Sequence, residues 1–191
     1  MKRLVIITVG KTHSGKTTFA KNLEKELNNS IVMDQDNHAE FINTFYKKLQ
    51  PKQGPNILKH ALSKLIVDYT KSNTDYHLII CNSNRTRKSR EYLLEDLFKA
   101  NEFVRILVHF NIPDDILQTR VKQSSRNTNI FRFASSFEEV LIRQQAESVT
   151  GDVEDPTEDE ADHLFIIKDS DEVNFVIQEI MRIASNSEIS T

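Results

Sequence analysis

Continuous apolar runs alternate along the chain with segments of helical period. Arg3-Leu4-Val5-Ile6-Ile7-Thr8-Val9 is apolar and rich in β-branched residues, the pattern of a strand buried on both faces of a parallel sheet. Runs near 30–34, 76–81, 103–110 and 163–168 predict four more strands. After the first strand, Phe19, Leu23 and Leu27 recur at i, i+4 and i+8 between charged positions, which predicts an amphipathic helix. Two helices are expected between the second and third strands, one carrying Phe41, Phe45 and Leu49 and the other Leu58, Leu62, Leu65 and Tyr69, with Gln50 to Pro55 as the break.

Later helices are framed by Leu93, Leu94, Leu97 and Phe98, and then by Ile116, Leu117 and Val121 behind Pro113, which suits a first helical turn. Ser135-Ser136-Phe137-Glu138-Glu139 offers overlapping capping boxes for a helix whose apolar face is Phe137, Val140 and Leu141. A final stripe of Val173, Val176, Ile177, Ile180 and Ile183 predicts the last helix. Strands alternating with helices in this way mean a parallel α/β sheet. The polar stretch Lys122 to Phe133 and the acidic stretch Gly151 to Asp162 lack apolar periodicity and read as loops, the acids as solvated. The expectation is a single domain over 1–185, with a lid at about 122–134 and a disordered tail at 186–191.

Composition narrows the class of protein. A chain of 191 residues suffices for one domain with a substantial core, and a net charge of -3 with 38% hydrophobic residues shows no basic excess of the kind that draws a protein to nucleic acid. No apolar run approaches the ~20 residues needed to cross a bilayer, and the first segment reads as a core strand, not a signal peptide. The single cysteine, Cys81, excludes an internal disulfide and reads as a small buried residue at a strand end. Together these predict a cytoplasmic protein with no membrane partner.

The chemistry concentrates at the strand ends. Gly10-Lys11-Thr12-His13-Ser14-Gly15-Lys16-Thr17 is a complete G-x-x-x-x-G-K-[ST] phosphate-binding loop, placed between a predicted strand and a predicted helix as the motif requires. Gly10 and Gly15 permit the backbone angles that turn successive N–H groups onto a phosphate; Lys16 adds charge at the terminal phosphates; the Thr17 hydroxyl can ligate magnesium. The segment Gly10 to Thr18 is therefore the expected nucleotide site, with the next helix pointing its positive end at the anion.

The second strand ends in Met33-Asp34-Gln35-Asp36, whose acids should face that loop across the crevice. They can take a proton from an attacking hydroxyl or hold the metal, or they can simply cap the next helix. The third strand ends in Asn82 where many phosphate-loop proteins carry an aspartate, followed by Arg85, Arg87, Lys88 and Arg90, which could grip an anion or be a solvated helical turn. Arg120, Arg126 and Arg132 surround the polar segment and Arg143 follows it, a set from which a lid could deliver an arginine to the charge spreading on a transferred phosphoryl group.

On four landmarks the chain resembles the small P-loop kinases of the zeta-toxin and polynucleotide-kinase type. These are the Gly10 to Thr17 loop; Asp34-Gln35-Asp36; Asn82-Ser83-Asn84 with Arg90; and Ile112-Pro113 leading to Arg120 and a lid. The resemblance implies a three-layer P-loop NTPase fold whose five-stranded parallel sheet has the order 2-3-1-4-5, with a small arginine-bearing lid. It implies ATP and Mg2+ as cofactors, Asp36 as general base, and Arg120 and Arg126 as lid arginines beside Lys16. Asp34, Asn84 and Arg90 fall on the acceptor side. Polynucleotide kinases carry an arginine three residues beyond the catalytic aspartate, where this chain has Ala39, so a nucleic-acid acceptor stays open without being favoured. The expected activity is transfer of the γ-phosphoryl group of ATP to a hydroxyl of an unidentified acceptor. The alternative is a nucleotide-binding regulator or switch ATPase, which the uncharged Asn82 favours. An enclosed acceptor pocket beside Asp36 would separate the two.

Overall fold

The computed structural model describes residues 2–151 and 153–189. Five strands, β1 (Arg3–Gly10), β2 (Ser30–Asp34), β3 (His77–Cys81), β4 (Phe103–Phe110) and β5 (His163–Ile167), form one parallel sheet in the order β2-β3-β1-β4-β5. The central strand β1 pairs on one side with β3, Val5 opposite Leu78, and on the other with β4, Val5 opposite Arg105. Helices α1 (Lys16–Glu26), α2 (Gln35–Phe45), α3 (Ile57–Asn73), α4 (Arg87–Glu91), α5 (Asp114–Lys122), α6 (Phe137–Glu147) and α7 (Glu172–Ile189) fill the connections, and α4 runs on into a π-helical turn at Tyr92–Leu97. Each strand boundary lies within one residue of its sequence expectation.

The apolar continuity of β1 has the predicted cause. Leu4 and Ile6 face one core with Phe19 and Leu23 of α1 and Ile177 and Ile180 of α7, while Val5 and Ile7 face a second with Val67 of α3 and Leu94, Leu97 and Phe98 beyond α4. A strand between two helical layers meets no water on either face, so alternation gives way to an unbroken apolar run. Burying each such side chain contributes about 1.5–3 kcal/mol. One capping box forms in half: Ser136 Oγ accepts from the Glu139 amide, but the Glu139 carboxylate accepts from Ser135 N at 2.8 Å, one residue before the cap, in place of the Ser136 amide that the full motif uses. Among the described residues, no helix is long and apolar enough to cross a membrane. Of the tail expected to be disordered at 186–191, the part through Ile189 is helical, and Ser190 and Thr191 lie outside the described residues.

Two helices turn a different face inward from the one their apolar residues suggest. In α2 the buried residues are Ala39, Ile42 and Asn43, and in α3 they are Ser63, Val67 and Thr70, whereas Phe45, Leu49, Leu65 and Tyr69 are largely exposed. The inward faces are partly polar because of what they meet. Asn43 Nδ2 donates to the carbonyls of Asn129 and Phe131 in the segment after α5, and His38 Nδ1 is hydrogen-bonded to Ser63 Oγ at 2.8 Å. An apolar residue in place of Asn43 would take away the donor that both carbonyls share.

The acidic segment is a loop, but not a fully solvated one. Glu160 reaches back to Arg90, with Oε2 accepting from Nε at 2.6 Å and Oε1 from Nη2 at 2.8 Å, and Arg90 Nη1 also donates to the carbonyls of Arg85 and Glu154. Arg90 is fully buried. Burial would raise the Glu160 carboxyl, but the Arg90 hydrogen bonds and the Thr157 amide outweigh it and hold the group below its ordinary value. This bidentate pair pins the loop before β5 to α4. Removing the carboxylate strands a buried guanidinium, so Glu160→Ala should lower unfolding free energy by about 3–5 kcal/mol in urea titration, against less than about 0.5 kcal/mol for exposed Glu158→Ala.

Candidate functional site

Parallel pairing brings the C-terminal ends of the strands to one edge, and a cleft of ≈ 1250 Å³ opens there. Its floor is the loop between β1 and α1. Gly10 has φ 148° and Gly15 φ 106°, both in the region that favours glycine, and a Cβ on Gly10 would lie 2.9 Å from the Phe110 carbonyl oxygen. The loop can pass beside β4 only because nothing projects from Gly10, whose amide donates to Ser83 O at 2.9 Å. Gly15 caps α1 without a side chain, leaving the first-turn amides of that helix facing the cleft.

Lys16 lies over the loop, its ammonium donating to Lys11 O and to Ser14 Oγ at 3.1 Å. Burial pushes its pKa down to about 8. An anion beside it would offset that cost. Lys11, by contrast, is paired with Asp114 at 2.6 Å, and Thr12 N donates to Gln144 Oε1, so both hold the loop against α5 and α6. His13 takes φ 58°, packs edge-on against Phe137 with ring centroids 4.7 Å apart, and is pushed down to about pKa 4, chiefly by burial and then by Arg126, Lys16 and Arg120. It remains neutral at physiological pH.

Thr17 shows how a metal would be held. Its hydroxyl donates to Asp34 Oδ2 at 3.4 Å and accepts from the Cys81 thiol at 3.6 Å, and burial raises the Cys81 pKa to about 11, keeping it a donor. Asp34 is at once a helix cap, accepting from Asp36 N at 2.9 Å, and a buried carboxylate whose pKa is raised by burial and by the nearby Asp36. A hydroxyl and a desolvated carboxylate side by side are hard oxygen donors suited to magnesium. Asn82 is occupied in the frame: its Oδ1 accepts from Gln35 N and its carbonyl from the Thr8 hydroxyl.

Arg126 closes the cleft. Its Nη2 is 3.2 Å from Asp36 Oδ2, and its guanidinium lies 4.9 Å over the ring of Phe137, which in turn packs on Phe131. Arg120 reaches the loop from α5, donating to His13 O at 3.3 Å and to Ser170 Oγ at 3.0 Å. Asp36, Lys16, Arg120 and Arg126, from four different stretches of sequence, thus line one cleft.

Not every expected site residue is there. Arg90 is absent from the cleft wall because its guanidinium is spent on Glu160 and three carbonyls, which removes it from the acceptor side. Arg85 is buried against Glu147, Gln144 O and Ser148 Oγ, and exposed Arg87 pairs with Glu91. Asn84 lines the cleft at φ 43° with its Nδ2 committed to Thr8 O. The cleft also exposes residues that sequence reasoning passed over: Asn56, Lys59 and Tyr92 beyond Asp36, and Asp169, Ser170 and Asn174 beside Arg120. Lys59 had a signal, being one turn before the true inward face Ser63-Val67-Thr70, but that face is not the apolar one.

The AAA domain family profile matches residues 5–149, and the chain belongs to that family. Among solved structures it is similar to a gluconokinase from Sinorhizobium meliloti, at 16% identity and TM-score 0.58, covering 100% of this chain and 99% of that one. It is also similar to shikimate kinase from Bacteroides thetaiotaomicron, at 14% identity and TM-score 0.55, covering 95% and 98%. Kti12 from Chaetomium thermophilum, solved with ADP-AlF3, matches at 14% identity and TM-score 0.59, covering 93% and 97%. These likenesses show the P-loop kinase fold. No curated protein sequence matches the chain.

The lowered pKa of Lys16 has a measurable consequence. Below about 8 the ammonium is present before any nucleotide arrives; above it, binding must take up a proton. ATP affinity should therefore be flat up to neutrality and weaken by roughly tenfold between about pH 7 and about pH 9, one decade per unit beyond the pKa, as read by calorimetry. A pH-independent affinity over that range would contradict the placement of Lys16 on the phosphates.

Proposed function

We propose that the protein is an ATP-dependent kinase that transfers the γ-phosphoryl group to a hydroxyl of an acceptor bound beside Asp36. The observation that carries this reading is the continuity of the cleft. It does not end at the phosphate loop but extends past Asp36 to Asn56, Lys59, Tyr92 and Arg132. Its ≈ 1250 Å³ exceeds the ~300–1,000 Å³ of an ordinary small-ligand pocket, leaving room for a second substrate. A regulator that only reads bound nucleotide has no need of that second lobe.

Each side chain then has a defined task. The loop amides and Lys16 hold the β- and γ-phosphates, and Arg120, anchored to the His13 carbonyl, approaches the same group from α5. Thr17 and Asp34 would hold magnesium, which when bound neutralises phosphate charge. Asp36 accepts the proton of the acceptor hydroxyl as its oxygen attacks the γ-phosphorus in line, while the bond to the β–γ bridging oxygen breaks and ADP leaves with the electron pair. Arg126, already 3.2 Å from Asp36, orients the carboxylate and stands where negative charge spreads on the transferred group. The Arg126, Phe131 and Phe137 contacts shield the site from water, which limits wasteful hydrolysis.

This assignment adopts the zeta-toxin and polynucleotide-kinase type as the nearer relation within the family and places the enzyme in the cytoplasm, where its nucleotide is supplied. ATP with a set of hydroxyl compounds (sugars, nucleosides, aminoglycosides and 5′-hydroxyl oligonucleotides) tests it by ADP release. Lys16→Ala should weaken ATP binding by at least roughly tenfold, as expected when charge-assisted phosphate contacts are lost. Asp36→Asn should leave that affinity close to the parent while lowering kcat by roughly 10²–10⁴-fold, the usual contribution of a general base. Parent-rate turnover by Asp36→Asn would overturn the base assignment.

A further inference from the structure

Beyond Asp36 the cleft wall carries a cation that the phosphotransfer chemistry does not use. Lys59 lies one turn before Ser63, Val67 and Thr70, the inward face of α3, and is half-buried on the cleft wall. The two carboxylates at the end of β2 are already engaged: Asp36 with Arg126, and Asp34 with the Asp36 amide and Thr17. Among the described residues, Lys59 forms no ion pair. Arg132 faces the same lobe from the lid segment, held there by the carbonyls of Pro51 and Gly54 and stacked 4.1 Å over Phe133.

We infer that the acceptor carries an anionic group, a carboxylate or a phosphate ester, next to its reactive hydroxyl, and that Lys59 assisted by Arg132 holds that group. The inference rests on the kinase reading above and names the class of its acceptor. An ammonium withdrawn from water without a counterion is unfavourable, and the cost grows as the lid excludes solvent. Burial indeed lowers the Lys59 pKa, with Arg132 adding to the effect and Asp36 and Asp34 opposing it. An anionic acceptor would remove that penalty. A neutral acceptor would leave the Lys59 ammonium without a counterion and be rejected on that ground. The same contact would fix the acceptor's register, with its anion at Lys59 and its hydroxyl toward Asp36.

The test uses the full chain saturated with magnesium and a nonhydrolysable ATP analogue, so that the phosphate loop is filled. Inorganic phosphate and malonate are then titrated separately by calorimetry. The parent protein should bind at least one of the two, phosphate alone pointing to a phosphorylated acceptor and malonate alone to a carboxylate. Lys59→Met should weaken that binding by roughly tenfold or more, Lys59→Arg should retain most of it, and neither should alter the analogue's affinity. Lys59→Gln serves in place of Lys59→Met if the latter does not fold. Binding of neither anion, or equal binding by Lys59→Met, overturns the inference while leaving the kinase reading in place. A parallel loss of analogue affinity would assign Lys59 to the donor phosphates and overturn it as well. Failure of the parent to bind the analogue overturns the kinase reading, and the inference falls with it.

Discussion

Everything at this site depends on the close approach of the loop after β1 to the end of β4. Gly10 passes so near the Phe110 carbonyl that no side chain fits, and that passage swings Ser14, Lys16 and Thr17 over the sheet edge where the other strands also end. Parallel pairing on both sides of β1 brings this about, because β3 and β4 run in the same direction and β4 finishes level with β1, Phe110 opposite Gly10. Asp34 at the end of β2 and Asn82 just past β3 are delivered to the same rim by the same register. The cleft is thus a consequence of strand direction as much as of any single residue.

Charge pairing then sorts the many cations of the rim into two kinds. Arg85, Arg90 and Lys11 meet carboxylates of neighbouring elements and act as fasteners, tying α6, the loop before β5 and α5 to the frame. Lys16, Arg120 and Lys59 line the cleft and form no such pairs among the described residues. Arg126 stands between, pairing with Asp36 across the lid at a distance that a substrate could displace, since both side chains are about half exposed. A cation that the fold has already neutralised cannot serve a phosphate, and one that it has left bare is costly until an anion arrives.

The sheet was readable because burial on both faces leaves a strong imprint, the apolar stretches Leu4–Ile7 in β1, Leu78–Cys81 in β3 and Ile106–Val108 in β4. The phosphate loop was readable because its chemistry lies in consecutive residues. The helices α2 and α3 were harder, for period alone cannot say which stripe turns inward when the neighbour is a polar loop. Phe45 and Tyr69 look like core and are exposed, whereas Asn43 and Ser63 look like surface and are buried. Lys59 was hidden by the same ambiguity, and Arg90 was misplaced because its partner Glu160 is 70 residues away.

By itself, then, the sequence determined the parallel α/β plan, the strand boundaries and the nucleotide loop, because each depends on residues adjacent in the chain or on their two-faced burial. Only the tertiary structure decided which basic side chains are free. Whether an arginine grips a ligand or a carboxylate of its own protein is a matter of distance across the fold, set by how α4, α6 and the loop before β5 pack, and no local pattern records it. The second lobe of the cleft, with Lys59 on its wall, belongs to that second category.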